Sequence, residues 1–277
     1  MSVEPPDVQL ERAIQFFHNE KTLAQMPGLN DGILAALLGI ATETYRSLRE
    51  RFASRAREAA RELLADPGFA ARVDRLPFPA GGVVAGIGDS ITDDAQSWFE
   101  ILRHLLDLRR PADTITFVNN AVSGDTTTQV LIRFLAVVAR QPAWIICMAG
   151  TNDARTHGTA PAKTLVSIDA TERNLAALRQ FGATQTSARW LWITPATVLE
   201  EQIAGDAFLS SLQLMWRNAD LAPVAEAVRR QPDPHVDLQR LFGQPPDPAL
   251  LLPDGLHPSL AGQKVIVRAV VERLSEL

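Results

Sequence analysis

Hydrophobic positions follow two rhythms along this chain, and the change comes near residue 82. Before it, apolar residues recur at intervals of three and four. Residues 7–26, DVQLERAIQFFHNEKTLAQM, read as a short amphipathic helix. Asn30 or Asp31 can then cap a longer one, in which Leu34, Leu38, Ala41, Tyr45, Leu48, Phe52, Ala56, Ala59 and Leu63 form one stripe. Arg and Glu side chains fill the other face, and Asp66-Pro67-Gly68 ends the pattern. Drawn as a single piece, this helix would be about 50 Å long. Such a stripe suits packing against the main body, an arm joining subunits into a homo-oligomer, or a cover over a site.

Beyond Gly82, short apolar runs alternate with helical segments. Strands are expected at 83–88, 114–119, 144–149 and 189–194, with a weaker one at 235–238. Helices are expected near 97–108, 126–140, 162–181, 208–230 and 259–274. Several strands are apolar throughout, as strands covered on both faces must be. The βαβα rhythm predicts an α/β fold with a parallel sheet between helix layers. The Pro- and Asp-rich stretch FGQPPDPALLLPDGLHPS reads as a loop into the last helix. The chain thus divides into an N-terminal helical extension, 1–80, and an α/β domain, 81–277.

Composition narrows the function classes. Apolar residues make up 46% and charged residues 21%, a balance that allows a sizeable core. The net charge is −5 and the basic residues are dispersed, which argues against a nucleic-acid partner. No apolar run reaches about 18 residues, so no membrane span is expected. MSVEPPDVQLERAIQFF lacks the basic and apolar segments of a secretory signal, which points to a cytoplasmic location. The single cysteine, Cys147, sits in AWIICMAG and reads as a buried core thiol.

In an open parallel sheet, ligands gather at the carboxyl ends of the strands. The first strand ends in Gly88-Asp89-Ser90, the second leads into NNAVSGDTTT with Gly124, and the third into GTND with Asn152. Asp254 and His257 stand in DGLH before the last helix. These types fit one task. A serine hydroxyl needs a base, an imidazole titrates near neutral pH, and a carboxylate three residues away can fix its tautomer. The Ser90 N–H, the Gly124 N–H and the Asn152 amide can then receive an oxyanion. A helix starting after Ser90 would add the field of its N-terminus. Asp89 and Asp153 read as structural, bonding loop amides and holding the loop that aims Asn152. His18, His104, His157 and His235 read as surface or satisfied residues. Trp192, Leu199, Ile203 and Phe208 are candidates for acyl contacts.

The four blocks together resemble the GDSL esterases and lipases, also called SGNH hydrolases, over about 82–277. Gly88-Asp89-Ser90-Ile91-Thr92, Gly124 in NNAVSGDTT, Gly150-Thr151-Asn152-Asp153 and Asp254-Gly255-Leu256-His257 occur in the family's order. Ile91 replaces the usual leucine. The resemblance implies a three-layer α/β/α flavodoxin-like fold with a five-stranded parallel sheet, to which the N-terminal helices are additional. It implies Ser90 as nucleophile, His257 as base, Asp254 as orienting acid, and Gly124 and Asn152 as oxyanion donors. The expected activity is hydrolysis of short-chain acyl or acetyl esters through an acyl-enzyme, with a small-molecule ester as substrate and no metal or organic cofactor. Acyl transfer through the same intermediate, and a non-catalytic binding protein working through its N-terminal helices, are the rival readings.

Overall fold

A computed structural model of the chain describes residues 6–23, 26, 28–158, 160 and 162–277. The N-terminal part is helical: α1 (Pro6–Phe16), α2 (Asn19–Thr22), α3 (Asp31–Leu37), α4 (Thr42–Leu64) and α5 (Pro67–Asp74). Then β1 (Val83–Gly88), α6 (Ser90–Asp93), α7 (Trp98–Arg109), β2 (Thr116–Asn119), α8 (Thr127–Val138) and β3 (Trp144–Met148) follow. After them come β4 (Thr156–His157), α9 (Ile168–Gln185), β5 (Arg189–Ile193), α10 (Glu200–Gly205), α11 (Ala207–Ser211) and β6 (Leu214–Met215). The chain closes with α12 (Asn218–Arg229), β7 (His235–Val236), α13 (Leu238–Phe242) and α14 (Leu260–Leu274).

Five strands form one parallel sheet in the order β2-β1-β3-β5-β7, as the sequence rhythm predicts. Residues alternate between its faces, so each apolar strand feeds two cores. Val84, Ile146, Met148, Leu191 and Ile193 pack with α7 and α14. Ala85, Ile87, Ile145, Cys147, Trp190 and Trp192 pack with α8, α9 and α12. The result is three layers, α/β/α. The chain builds outward from β1 in both directions, so the switch point lies between β1 and β3, where a ligand crevice opens at the strand ends. Gly88 ends β1 because nothing larger fits: a Cβ there would stand 2.0 Å from the Met148 carbonyl oxygen.

The N-terminal helices are built into this core. Small residues Ala56, Ala59 and Ala60 let α4 lie close to α7, and Leu63, Phe69, Val73 and Leu76 join the same buried cluster. At about 1.5–3 kcal/mol for each fully buried large apolar side chain, these helices contribute substantially to stability. A smaller cluster of Ile14, Leu34, Ala35, Tyr45 and Phe52 holds α1 and α3 on α4. Among the described residues, no helix is long and apolar enough to cross a membrane.

Four expected helices differ from the structure. The single long helix is two, α3 and α4, because Gly39 takes φ +70° and ends α3. The Ile40 N–H reaches back to the Ala35 carbonyl and the Gly39 N–H to that of Ala36, each at 3.1 Å, the pairing of a Schellman stop. Asn30 does cap α3, its side chain accepting from the Gly32 and Ile33 N–H groups. The helix expected over 7–26 stops at Phe16 and resumes as α2; its residues 24 and 25 lie outside the described residues. The helix expected over 208–230 is split into α11, β6 and α12, with Gln213 at φ +55° marking the break. There β6 pairs antiparallel with β4 in a two-stranded ribbon with no counterpart in the sequence reading. The helix expected over 162–181 starts later, at Ile168, where Ser167 caps it through the Ala170 N–H.

Candidate active site

The residues predicted from four separate blocks meet at the carboxyl edge of the sheet. Ser90 opens α6 directly after β1. Asp89, not Ser90, caps that turn, its Oδ1 accepting from the Ile91 N–H at 3.1 Å. The serine hydroxyl is therefore free to face outward. It lies 2.9 Å from His257 Nε2. On the other side of the ring, His257 Nδ1 is 2.7 Å from Asp254 Oδ2. The second oxygen of Asp254 accepts from the Leu256 and His257 backbone N–H groups, each at 2.9 Å, which locks the DGLH turn around its own carboxylate. Burial works against ionisation of Asp254, but His257 and those two N–H groups outweigh it and hold the carboxyl at about 2.

Gly124 and Asn152 stand beside Ser90 and His257 on the wall of one cavity of about 180 Å³. Gly124 takes φ +86°, and a Cβ there would enter open space, so its backbone is presented without a covering side chain. The Asn152 amide donates one hydrogen to the Asp125 carbonyl at 3.0 Å, which leaves the second. Asp153 fixes this loop from behind. It accepts from the Thr127 N–H at 2.8 Å, from the Thr127 hydroxyl at 2.5 Å and from the Thr171 hydroxyl at 2.6 Å. Chemically, the set can pass a proton from Ser90 Oγ to the imidazole beside a cavity that Gly124 and Asn152 also line. Helix α6 has only four residues, so the expected helix-dipole contribution shrinks to local N–H groups.

The N-terminal segment forms part of the remaining wall through Arg12, Phe16 and Phe17, which no local pattern announced. The Phe16 ring lies 4.5 Å from the His257 ring, tilted by 39°. Arg12 donates to Asp254 Oδ2 at 3.1 Å and to Asp206 Oδ2 at 3.3 Å, and its guanidinium sits 4.8 Å from the Phe208 ring centre. His18 is a buried partner of Asp93 at 2.8 Å, and Lys21 binds the same carboxylate oxygen. Burial pushes Asp93 up, but His18 and Lys21 prevail and keep it below the usual carboxylate range. Asp93 also accepts from the Ser123 N–H at 2.9 Å, next to Gly124, so α2 is tied to the Gly124 loop. Of the four apolar side chains expected at the pocket, only Phe208 lines it. Trp192 on β5 and Ile203 on α10 are fully buried because their strand and helix faces point inward, and Leu199, just before α10, packs against the core. Leu209, Leu212, Leu214 and Trp216 line it instead.

Asp89 carries a pH signature. Complete burial pushes its carboxyl up to about 7, against a partial lowering by the Ile91 N–H. In the unfolded chain the same group ionises near 4. The folded state therefore holds the extra proton between about 4 and 7, and stability falls as pH rises through that window. Asp94, raised by burial to about 6, acts in the same direction. Asp89→Asn keeps the oxygen that caps α6 and removes the ionisation. The fall in Tm from pH 5 to pH 8 is expected to be smaller in this variant than in the wild type. Equal falls, measured by calorimetry, would show that Asp89 does not titrate in this range.

Fold and site together define a carboxylic ester hydrolase of the α/β/α type. The model for the GDSL-like lipase/acylhydrolase family matches residues 87–265, and the chain belongs to that family. No curated protein matches it. Among solved structures, it is similar to an alpha/beta hydrolase enzyme from the metagenome of Lake Arreo, Spain (24% identity, TM-score 0.55, covering 72% of this chain and 97% of that one). It is similar too to an acetylxylan esterase from Geobacillus stearothermophilus (22%, 0.54, 71% and 95%) and to the lipase/acylhydrolase from Enterococcus faecalis (20%, 0.54, 70% and 96%). At these identities the structural likeness establishes the shared fold.

Proposed function

We propose that the protein is a serine esterase that cleaves short-chain acyl esters through an acyl-enzyme. The observation that carries this reading is the unbroken line from Ser90 Oγ through His257 to Asp254, at 2.9 Å and 2.7 Å, opening on a cavity that Gly124 and Asn152 also line. Ser90 Oγ attacks the ester carbonyl while His257 Nε2 takes its proton. Negative charge collects on the former carbonyl oxygen, where the Ser90 N–H, the Gly124 N–H and the Asn152 amide receive it. The ester C–O bond breaks as His257 returns the proton to the leaving alkoxide. Water then attacks the acyl carbon, giving a proton to His257, and Ser90 leaves with that proton restored. Asp254 holds Nδ1–H and stabilises the imidazolium that forms in each half.

The size of the cavity, about 180 Å³, and its Leu, Phe and Trp walls favour a short acyl group. The acetylxylan esterase among the similar structures adds weight to acetyl esters. The test is a series of 4-nitrophenyl esters of rising chain length. Acetate to pentanoate are expected to be turned over, with kcat/KM falling at least about tenfold by the decanoate, since surplus methylenes must stay in water. A maximum at long chains would contradict the short-acyl reading, and no turnover of any ester would contradict the esterase reading.

A further inference from the structure

Two cations line the cavity, Arg12 and Arg155. Arg12 is committed to Asp206 and Asp254. Arg155 differs in every respect. It follows Asn152 by three residues on the loop into β4, and its backbone is pinned at both groups: its N–H to the Asn152 carbonyl at 3.3 Å and its carbonyl to the Leu165 N–H at 2.7 Å. Its guanidinium lies over the Trp216 ring, 5.8 Å from the centre, and Trp216 is itself fixed by its indole N–H on the Thr151 carbonyl at 3.0 Å. Yet no carboxylate among the described residues pairs with Arg155, and its Nε is buried with no hydrogen-bond partner. Burial pulls its pKa down with no acidic neighbour offsetting the effect. A planar cation carried into an apolar pocket without a counter-charge is costly, and a guanidinium fork matches a carboxylate.

We infer that Arg155 is a specificity residue, and that the ester cleaved here carries a carboxylate which pairs with it. This rests on the esterase reading above and narrows its substrate class. The surroundings sharpen the contrast. The carboxylates around the catalytic loops are matched by other cations, Asp93 by Lys21, Asp125 by Arg133 and Asp254 by Arg12. None of them takes up the charge of Arg155.

The test compares two pairs of esters matched in size. The mono-4-nitrophenyl ester of glutaric acid against 4-nitrophenyl pentanoate places the charge on the acyl side. The ester 4-acetoxybenzoate against 4-acetoxybenzamide places it on the alcohol side. Uncatalysed rates are subtracted throughout. In the wild type, the anionic member of one pair is expected to have a kcat/KM about tenfold or more above its neutral partner. In Arg155→Gln that ratio is expected to fall to about one, and Arg155→Lys is expected to keep part of it, as a retained charge without the fork should. A wild-type ratio at or below one in both pairs would overturn the inference, and that measurement needs no variant. So would a ratio that survives in Arg155→Gln. Hydrolysis that requires Ser90, of any of the four esters, keeps the two readings apart. Where it occurs without an anion preference, only the role of Arg155 fails; where none of the four esters is cleaved, the esterase reading fails and this one with it.

Discussion

Ser90→Ala is expected to lower kcat by about 10⁴-fold or more while leaving the fold intact. The size follows from what is lost. Removing Oγ removes the only atom that can form the acyl-enzyme at the end of the His257 relay, and the residual rate is what the oxyanion donors and substrate binding supply to a water attack. Intact folding follows from the local structure. The cap of α6 is Asp89, and the Ser90 hydroxyl has His257 Nε2 as its partner, so alanine leaves no backbone group unsatisfied. Ile91, Thr92 and Asp93 behind it remain buried as before. Tm within a few degrees of the wild type, with esterase activity gone, is the expected pair of results. Retained activity would place the nucleophile elsewhere.

Asp254→Asn is expected to cost about 10⁴-fold in kcat. Asp254 Oδ1 accepts from two backbone N–H groups, while Oδ2 accepts from His257 Nδ1 and from Arg12. An asparagine has one acceptor oxygen. If it keeps the backbone bonds, its NH2 faces both Nδ1 and the Arg12 guanidinium, and the imidazole must turn Nδ1 into an acceptor. The ring proton then sits on Nε2, facing Ser90, where a base is needed. If it flips, the backbone donors of the DGLH turn are left facing an NH2. Either arrangement disables the base. The wild-type carboxylate has the converse property: held at about 2 against an unfolded value near 4, it stabilises the fold above about pH 4 and loses that contribution as pH falls toward 2. A loss of less than about tenfold in Asp254→Asn, read in the same ester assay, would show that His257 works without an orienting acid.

The edge that carries the candidate site was legible because each of its parts is a short local signal at a strand end or in one turn. Gly88-Asp89-Ser90 closes an apolar strand, Asn152 follows another, and Asp254 and His257 share one turn. The five-stranded sheet was legible for a related reason: strands buried on both faces are apolar without interruption, and the helices between them keep the sheet parallel. The covering segment was not. Arg12, Phe16, His18 and Lys21 meet partners 72 to 242 residues away, and the amphipathic pattern around them reads the same whether the helix covers a site or packs on bare surface. The stretch 208–216 misled for a different reason. Phe208, Leu209, Leu212, Leu214 and Trp216 recur at spacings compatible with a helix, but the chain turns at Gln213 and pairs β6 with β4 to wall the pocket. A tertiary pairing of two residues on each side leaves no periodicity to read.

The central claim is that the Ser90 oxygen bears the acyl group. A fluorophosphonate probe, which forms a stable bond only with an activated serine, followed by peptide mapping tests it directly. One adduct per chain on the peptide carrying Ser90, none in Ser90→Ala, and loss of ester hydrolysis in step with labelling is the expected result. An adduct on another residue, or full hydrolysis by a chain that the probe has saturated, would contradict it.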